Sequence, residues 1–282
     1  MEKTAGNGLP AVTVAVQRQP DSNTMAITDN IIPHERRFFD TPFSKYFLPV
    51  LDGAVAMSKK VLQDLREFPL RKPVAKTAYH AHPLYDNFGS VVERNEACKK
   101  LGLDETKRYI LFFGFIRNYK GLDLLLEAMA LLPDHLQHVH LVVAGEYYED
   151  KAPYEEIIEK RQLGQRIDLH TKFIPNDDVR LYFSAADIIA QPYRNATQSG
   201  VSQVAYHFET PMIITNVGGL SELVPHGEAG SVCEPTAESL AHAITSMYEG
   251  DQLEHIRKSI KELKKQFSWP SMVHALESVT QS

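Results

Sequence analysis

An α/β architecture on a doubly wound parallel sheet is the fold class that the sequence predicts for its C-terminal two-thirds, on three observations. From Tyr109 onward, short apolar and β-branched runs alternate regularly with longer segments of helical periodicity. The runs are almost continuously apolar, which marks strands covered on both faces and hence a parallel sheet. The loops after them collect the distinctive glycine, basic and hydroxyl residues, and ligands sit at that end of such a sheet.

The elements follow in order. Residues 1–22 show no periodicity and are rich in Gly, Pro, Gln and Asn, so they are expected to be irregular or poorly ordered. TMAITD (24–29), GAVAMS (53–58) and KTAYHAHP (76–83) read as strands, with FSKYFLPVL and KKVLQDLREF as helices between them. Three strands are few for an independent doubly wound domain. ERNEACKKLGL (93–103) reads as a linker-like helix. The second series of strands is YILFFGF (109–115), HVHLVVAG (138–145), RIDLHTKF (166–173), DIIAQPY (187–193), PMIITN (211–216) and SVCEP (231–235). GLDLLLEAMALL, YEEIIEKRQLG, NDDVRLYFSAA, VSQVAYHFE and GLSELVPHG read as the helices between them. The resulting division is an N-terminal part at 23–105, a second domain at 106–252 and closing helices at 253–282, the last crossing back to the N-terminal part.

Composition narrows the function classes. The chain has 282 residues, 43% hydrophobic and 23% charged, with a net charge of −6, as expected of a soluble protein of about two domains. So mild a charge does not suggest a nucleic-acid surface. Two cysteines in unlike contexts, Cys98 and Cys233, fit a reducing cytoplasm and argue against a disulfide framework or a zinc site. The twelve histidines do not cluster at ligand spacing, and no metal ligand set is expected. The longest apolar run, Tyr109–Ile116, is too short to span a bilayer, and no leader pattern is read at the N-terminus. The basic stretch Arg257–Lys265 alternates with apolar positions at helical spacing. It reads as a solvated helix face, with weak attraction to a membrane surface as the other reading.

Three loops carry the candidate chemistry. GFIRNYKG follows the first strand of the second series. Gly114 would let the backbone come close to a ligand, and Arg117 and Lys120 stand three apart at the start of the next helix. Two cations beside a helix N-terminus suit a diphosphate; two solvated bases on an ordinary strand–loop–helix account for the same residues. No G-x-G-x-x-G or G-x-x-x-x-G-K-S/T is present, which disfavours a dehydrogenase or a P-loop enzyme. After the fourth strand, Pro192 and Tyr193 end the run, and Thr197, Gln198, Ser199 and Gly200 lead into a helix. Backbone amides there suit phosphate or sugar hydroxyls, although an N-cap by Thr197 or Ser199 is also sufficient. After the fifth strand, Gly218 and Gly219 permit close approach, Ser221 is a candidate cap, and Glu222 follows.

Together these motifs resemble a known family. G-F-x-R-x-Y-K-G, LVVAGE, a strand ending in PY, SG before a helix, P-x-I-x-T-x-V-G-G-x-x-E and the closing FSW (267–269) look like the retaining family 4 glycosyltransferases of the GT-B fold, over about Tyr109 to Ser282. NIIPHERRFFD, DGAVAMS and AHPLYD resemble the later part of their acceptor domain. The resemblance implies a complete C-terminal Rossmann-like domain, a partial N-terminal one, and transfer of a sugar from a nucleotide-diphosphate donor to a glycan or lipid-linked acceptor. It implies no bound metal or cofactor, and a cytoplasmic enzyme, soluble or at the inner face of the membrane. Arg117 and Lys120 would stabilise charge on the leaving diphosphate. Gly114, Tyr193, Thr197, Gln198, Ser199, Gly200, Gly218, Gly219 and Glu222 would surround the donor, with Phe173 and Ile174 at its base.

The pattern departs from the family at two places. The family's Glu-x7-Glu pair falls here on Ala196 or Thr197 and on Val204, leaving Gln198 or Gln203 as neutral substitutes. The N-terminal motifs begin partway through the acceptor domain. Asp29 precedes Asn30 where relatives often have His, and His34 reads as a surface or capping residue. A donor-binding subunit whose partner supplies the rest of the N-terminal half is therefore the alternative reading. An epimerase on the same fold would need acid/base carboxylates that no motif supplies.

Overall fold

The computed structural model describes residues 23–31, 38–196 and 199–280; the expectations for 1–22, His34, Thr197 and Gln198 lie outside them. The chain divides into two units, one of residues up to Pro83 together with Phe267–Ser282, the other Leu84–Gln266.

In the first unit, β1 (Met25–Thr28), β2 (Gly53–Ala56) and β3 (Lys76–Tyr79) form a parallel sheet in the order β1-β2-β3. Every residue of β2 is buried, because side chains that alternate across the sheet meet helices on both faces. Ala54 and Ala56 pack with Phe47, Leu48, Val61 and Leu65 from α1 (Asp40–Phe47), the short 3-10 turn after it and α2 (Lys59–Glu67). Val55 and Met57 pack on the other face with Met272 and Val279, at α11 (Trp269–Ser278). The Ser58 hydroxyl caps α2 by accepting from the Val61 N–H, and Ser268 caps α11 in the same way.

The second unit opens with α3 (Arg94–Leu101), which ends at Gly102 in the left-handed conformation and packs on α6 (Asn176–Ala185). Its sheet comprises β4 (Arg108–Phe113), β5 (Val139–Ala144), β6 (Ile167–His170), β7 (Ile188–Gln191), β8 (Met212–Thr215) and β9 (Gly230–Cys233). The strand order is β6-β5-β4-β7-β8-β9, every pairing is parallel, and helices separate the strands as the alternating pattern predicts. These are α4 (Leu122–Ala130), α5 (Ala152–Lys160), α6, α7 (Gly200–His207) and α8 (Leu220–Leu223). Two more helices, α9 (Ala237–Met247) and α10 (Gln252–Leu263), follow β9. The chain moves outward from β4 in one direction through β6, then returns to the other side of β4 with β7. That reversal is the topological switch point of a doubly wound sheet.

Two sequence-based details change. RIDLHTKF is strand only over Ile167–His170, so Phe173 and Ile174 lie in the following loop. Ser221 does not cap α8; it lies inside that helix, whose N-cap is Gly219. The basic stretch is spent on carboxylates of its own chain. Arg257 reaches Asp187, Lys258 pairs with Glu254, Lys261 and Lys264 with Glu209, and Lys265 with Glu262.

The amino ends of the central strands are fastened by one buried acid. Asp187 is 1% exposed. Its carboxylate accepts from the Tyr109 N–H at 2.8 Å and from Arg108 at 3.0 Å, and lies 3.7 Å from Arg94 and 3.9 Å from Arg257. Asp187→Ala should therefore cost about 3–5 kcal/mol, since it strands cations and a backbone N–H around an empty site. Arg108→Ala, at a half-exposed end of the network, should cost about 1 kcal/mol or less. Urea unfolding of the two variants measures the difference.

Candidate functional site

The loops that leave β4 and β7 at the switch point are joined into one surface. Arg117 and Lys120 do not open the helix directly. Asn118–Lys120 forms a 3-10 turn, and α4 begins only at Leu122 after Gly121. The reason is packing: Gly121 has φ 67° and lies so close to the loop after β7 that a Cβ would stand 2.0 Å from the Pro192 carbonyl oxygen. No residue but glycine fits that approach. Arg194 then clasps the same turn. Its N–H donates to the Tyr119 carbonyl at 2.7 Å, its guanidinium donates to the Asn118 carbonyl at 2.8 Å, and both terminal nitrogens meet the Asp123 carboxylate.

The loop after β8 joins from the other side. The Thr215 hydroxyl donates to the Tyr193 carbonyl, and the Gly219 N–H donates to the Ala196 carbonyl at 3.1 Å. Tyr193 is buried, its hydroxyl 3.4 Å from the Ser199 hydroxyl and its ring edge-on to Tyr119. Burial raises its phenol pKa strongly, so it stays neutral. Ser199 is the N-cap residue of α7 but makes no side-chain cap bond; its hydroxyl turns to Tyr193 instead. Gly200 is the first residue of α7, packed against the Tyr85 ring.

The cations gather at this junction. Lys120 is partly buried, with its ammonium 5.8 Å from the centre of the Tyr193 ring. Gly114, at φ 94°, leaves room for it: a Cβ there would stand 3.0 Å from the ammonium nitrogen. Among the described residues Lys120 has no ion-pair partner. Burial, and then the positive charge of Arg117, lower its pKa to about 8. The guanidinium carbon of Arg117 lies 3.9 Å from the centre of the Tyr148 ring. Two like charges near one another, one of them partly desolvated, make the local potential positive.

Thus Gly114, Arg117, Lys120, Tyr193, Ser199, Gly200 and Gly219 belong to contiguous loops. Gly218 is at the exposed tip of the β8 loop with φ 53°, and Glu222 is half-buried on α8. Phe173 and Ile174 are not in the cluster. They follow β6, two strands from β4 and thus roughly 10 Å away across the sheet. Phe173 is 65% exposed. Val204 is buried in α7. Gln203 is wholly buried, and among the described residues neither of its amide atoms has a partner. No group of three metal-ligating side chains occurs among the described residues, and no described helix is long and apolar enough to cross a membrane. Sequence reasoning missed Arg194, Asp123 and Tyr148. The first two pair across 71 positions, and only the YYED run after β5 could have drawn attention to the third.

A doubly wound unit with bases at its switch point, together with a smaller parallel unit, defines a protein of the GT-B fold class, and comparison with known proteins agrees. The model of the family "Glycosyl transferases group 1" matches residues 93–266, and the chain belongs to that family. A D-inositol 3-phosphate glycosyltransferase of Mycolicibacterium gilvum is 32% identical over 192 residues, 65% of this chain and 41% of that protein. The lipopolysaccharide core biosynthesis mannosyltransferase LpsB of Rhizobium meliloti is 28% identical over 194 residues, 66% of this chain and 52% of that one. The chain spans about half the length of the curated relatives it matches. Among solved structures, Anabaena Alr3699/HepE in complex with UDP matches with a TM-score of 0.75 at 17% identity, covering 91% of this chain and 72% of that one.

The loop junction itself is testable. Gly121→Ala meets both the Pro192 carbonyl and a left-handed backbone, so it should lower stability by about 1–3 kcal/mol. Gly102→Ala, also at positive φ but with nothing within 4 Å, should cost about 1 kcal/mol. Thermal unfolding of the pair separates the clash from the backbone strain common to both.

Proposed function

We propose that this chain binds a nucleotide-diphosphate sugar in the crevice between the β4 and β7 loops and transfers its sugar to a hydroxyl acceptor with retention of configuration, in glycan or glycoconjugate synthesis. The observation that carries the reading is the convergence of Arg117 and Lys120 with Tyr193 and Ser199 at the switch point. In the reaction, the bond from the anomeric carbon to the β-phosphate oxygen breaks, and that oxygen keeps the electron pair. A bond from the acceptor oxygen to the same carbon forms, and the hydroxyl proton is released. The growing negative charge falls beside Arg117 and Lys120, in a partly dry site where fixed cations count most. Gly114 leaves space for the lysine, Ser199, Gly200, Gly218 and Gly219 offer small groups to phosphate or sugar, and Thr197, Gln198 and Glu222 complete the donor set. The distance from β4 to β6 matches a nucleoside that lays its base on Phe173 and Ile174. The donor itself is the only small molecule this reading requires, with no metal or other cofactor. Support comes also from the UDP and UDP-glucose complexes of the Anabaena HepE protein, which has the same fold.

A second reading is donor binding without turnover by this chain alone, with a second subunit supplying the acceptor side. It is favoured by Val204 and Ala196, which offer no carboxylate in α7 and the loop before it. A panel of UDP-, GDP- and ADP-sugars, assayed for binding and for release of nucleotide with acceptor present, separates the two. Transfer supports the first; tight binding with no transfer and no donor hydrolysis supports the second. No binding of any member refutes both.

Arg117→Ala and Lys120→Ala should each weaken nucleoside-diphosphate binding by about 1.5–3 kcal/mol, the value of a charge-assisted bond, or roughly ten- to hundredfold in Kd. Calorimetry with UDP, GDP and ADP checks this. The lysine adds a pH signature. Its ammonium is the binding form, and the free-protein pKa is about 8. Affinity should therefore be flat in pH below 8 through this group and fall as pH rises above 8. Lys120→Met should abolish the break.

A further inference from the structure

We propose that α1 is a docking surface for an anionic lipid bilayer, its outer aromatic stripe entering the headgroup layer. The proposal goes beyond the donor reading and does not rest on it. The helix and the 3-10 turn after it carry two apolar stripes, and the fold uses one. Ser44, Phe47, Leu48 and Leu51 are buried, and the Ser44 hydroxyl donates to the Ile31 carbonyl at 2.8 Å. Phe39, Phe43, Tyr46 and Val50 recur at steps of four, three and four, which puts them on one side of a helix. All four are exposed, and Phe38 extends the stripe, its ring edge-on to Phe39 at 5.1 Å. Phe38 at 94% and Tyr46 at 81% are the most exposed large apolar side chains among the described residues. Of the fourteen such side chains exposed there, five fall within Phe38–Val50. Exposed apolar residues scattered singly need no explanation, whereas a contiguous stripe marks a contact face.

Composition and charge say what this face meets. Aromatic rings favour the headgroup boundary, where the ring is buried and a phenol hydroxyl stays wet. Lys45, exposed on the flank of the stripe, has a stem long enough to keep its ammonium among headgroup phosphates. Helix α2 covers the same face of β2 as α1. It and the turn after it add the exposed Lys59, Lys60, Arg66, Arg71 and Lys72 against Asp64 and Glu67. Internal pairs such as Lys60 with Asp64 leave that sum unchanged. The first unit holds eleven Lys and Arg to nine Asp and Glu, a net +2. The second holds nineteen to twenty-seven, a net −8. An anionic surface therefore attracts the first unit and repels the second. Apolar insertion and electrostatic attraction together are what hold a helix in the plane of a membrane surface. A second copy fits less well, because a two-fold contact would bring the same cations together. Strands of a partner subunit would join the sheet at an edge, β1 or β3, and not at the outer side of α1.

The test uses the full chain, sedimented with vesicles of phosphatidylcholine alone and of an equimolar mixture of phosphatidylglycerol and phosphatidylcholine. The parent should bind the mixed vesicles, bind phosphatidylcholine much less, and be released as salt is added. Phe38→Ser/Tyr46→Ser removes two side chains that the fold barely touches, so it should unfold at the parent's temperature. Its partitioning onto mixed vesicles should fall by at least about tenfold, the contribution of burying one aromatic side chain. Lys45→Glu should weaken partitioning by roughly fivefold or more, as expected for a cation near an anionic surface. Leu131→Ser, which removes an exposed apolar side chain from the second unit, should bind like the parent. The proposal is overturned if the parent does not sediment with mixed vesicles or binds phosphatidylcholine alone equally well. It is also overturned if Phe38→Ser/Tyr46→Ser binds like the parent, or if Leu131→Ser weakens binding as much. A parent dimer in sedimentation velocity that the double variant abolishes overturns it too, since the stripe then serves a second copy.

Discussion

The second unit depends on how β4 and β7 pair. They share only two register positions, Ile110 with Ile188 and Leu111 with Ile189, whereas β4 pairs with β5 over six. So short a pairing at the centre of a sheet is reinforced at both ends by contacts outside the strands. Asp187 holds the amino end, through Tyr109, Arg108, Arg94 and Arg257. The Gly121–Pro192 contact and the Arg194–Asp123 clasp hold the carboxyl end. Both ends of this short pairing are therefore tied by contacts between the β4 and β7 segments.

The two ends treat charge in opposite ways. At the amino end a buried carboxylate is surrounded by guanidiniums, so its desolvation is offset by partners already present. At the carboxyl end a partly buried lysine stands beside an arginine, with no ion-pair partner of its own among the described residues, and its pKa falls accordingly. One arrangement is complete in the folded chain; the other is the place where the proposed donor's diphosphate would add its charge. Both stand on the same pair of strands, separated by the length of the sheet. The basic stretch Arg257–Lys265 belongs to the first kind, since its bases are paired with Glu209, Glu254, Glu262 and Asp187.

The first unit shows the same economy at smaller scale. There α1 and α2 cover one face of β2 and a helix from the far end of the chain covers the other. That α11 contributes its own side chains to this core, with Met272 and Val279 against Val55 and Met57, makes the final residues part of the N-terminal fold.

The sequence by itself determined the strands, their parallel arrangement and the three loops that hold Arg117, Lys120, Tyr193, Ser199 and Gly219. These follow from local patterns: apolar runs bounded by Gly and Pro, helical periodicity, and small polar residues where strands give way to helices. It carried the third strand of the series through Phe173, whereas Phe173 and Ile174 lie in the loop after it. Only the tertiary structure decided the strand order, and with it which loops are neighbours. The Gly121–Pro192 approach, the pairing of Arg194 with Asp123, the convergence of three arginines on Asp187 and the stack of Arg117 on Tyr148 join residues distant in sequence. No local pattern marks such contacts, because each depends on where a strand returns to the sheet. The depressed pKa of Lys120 is of the same kind: the residue is visible in the sequence, but the burial and the neighbouring charge that tune it exist only once the loops have met.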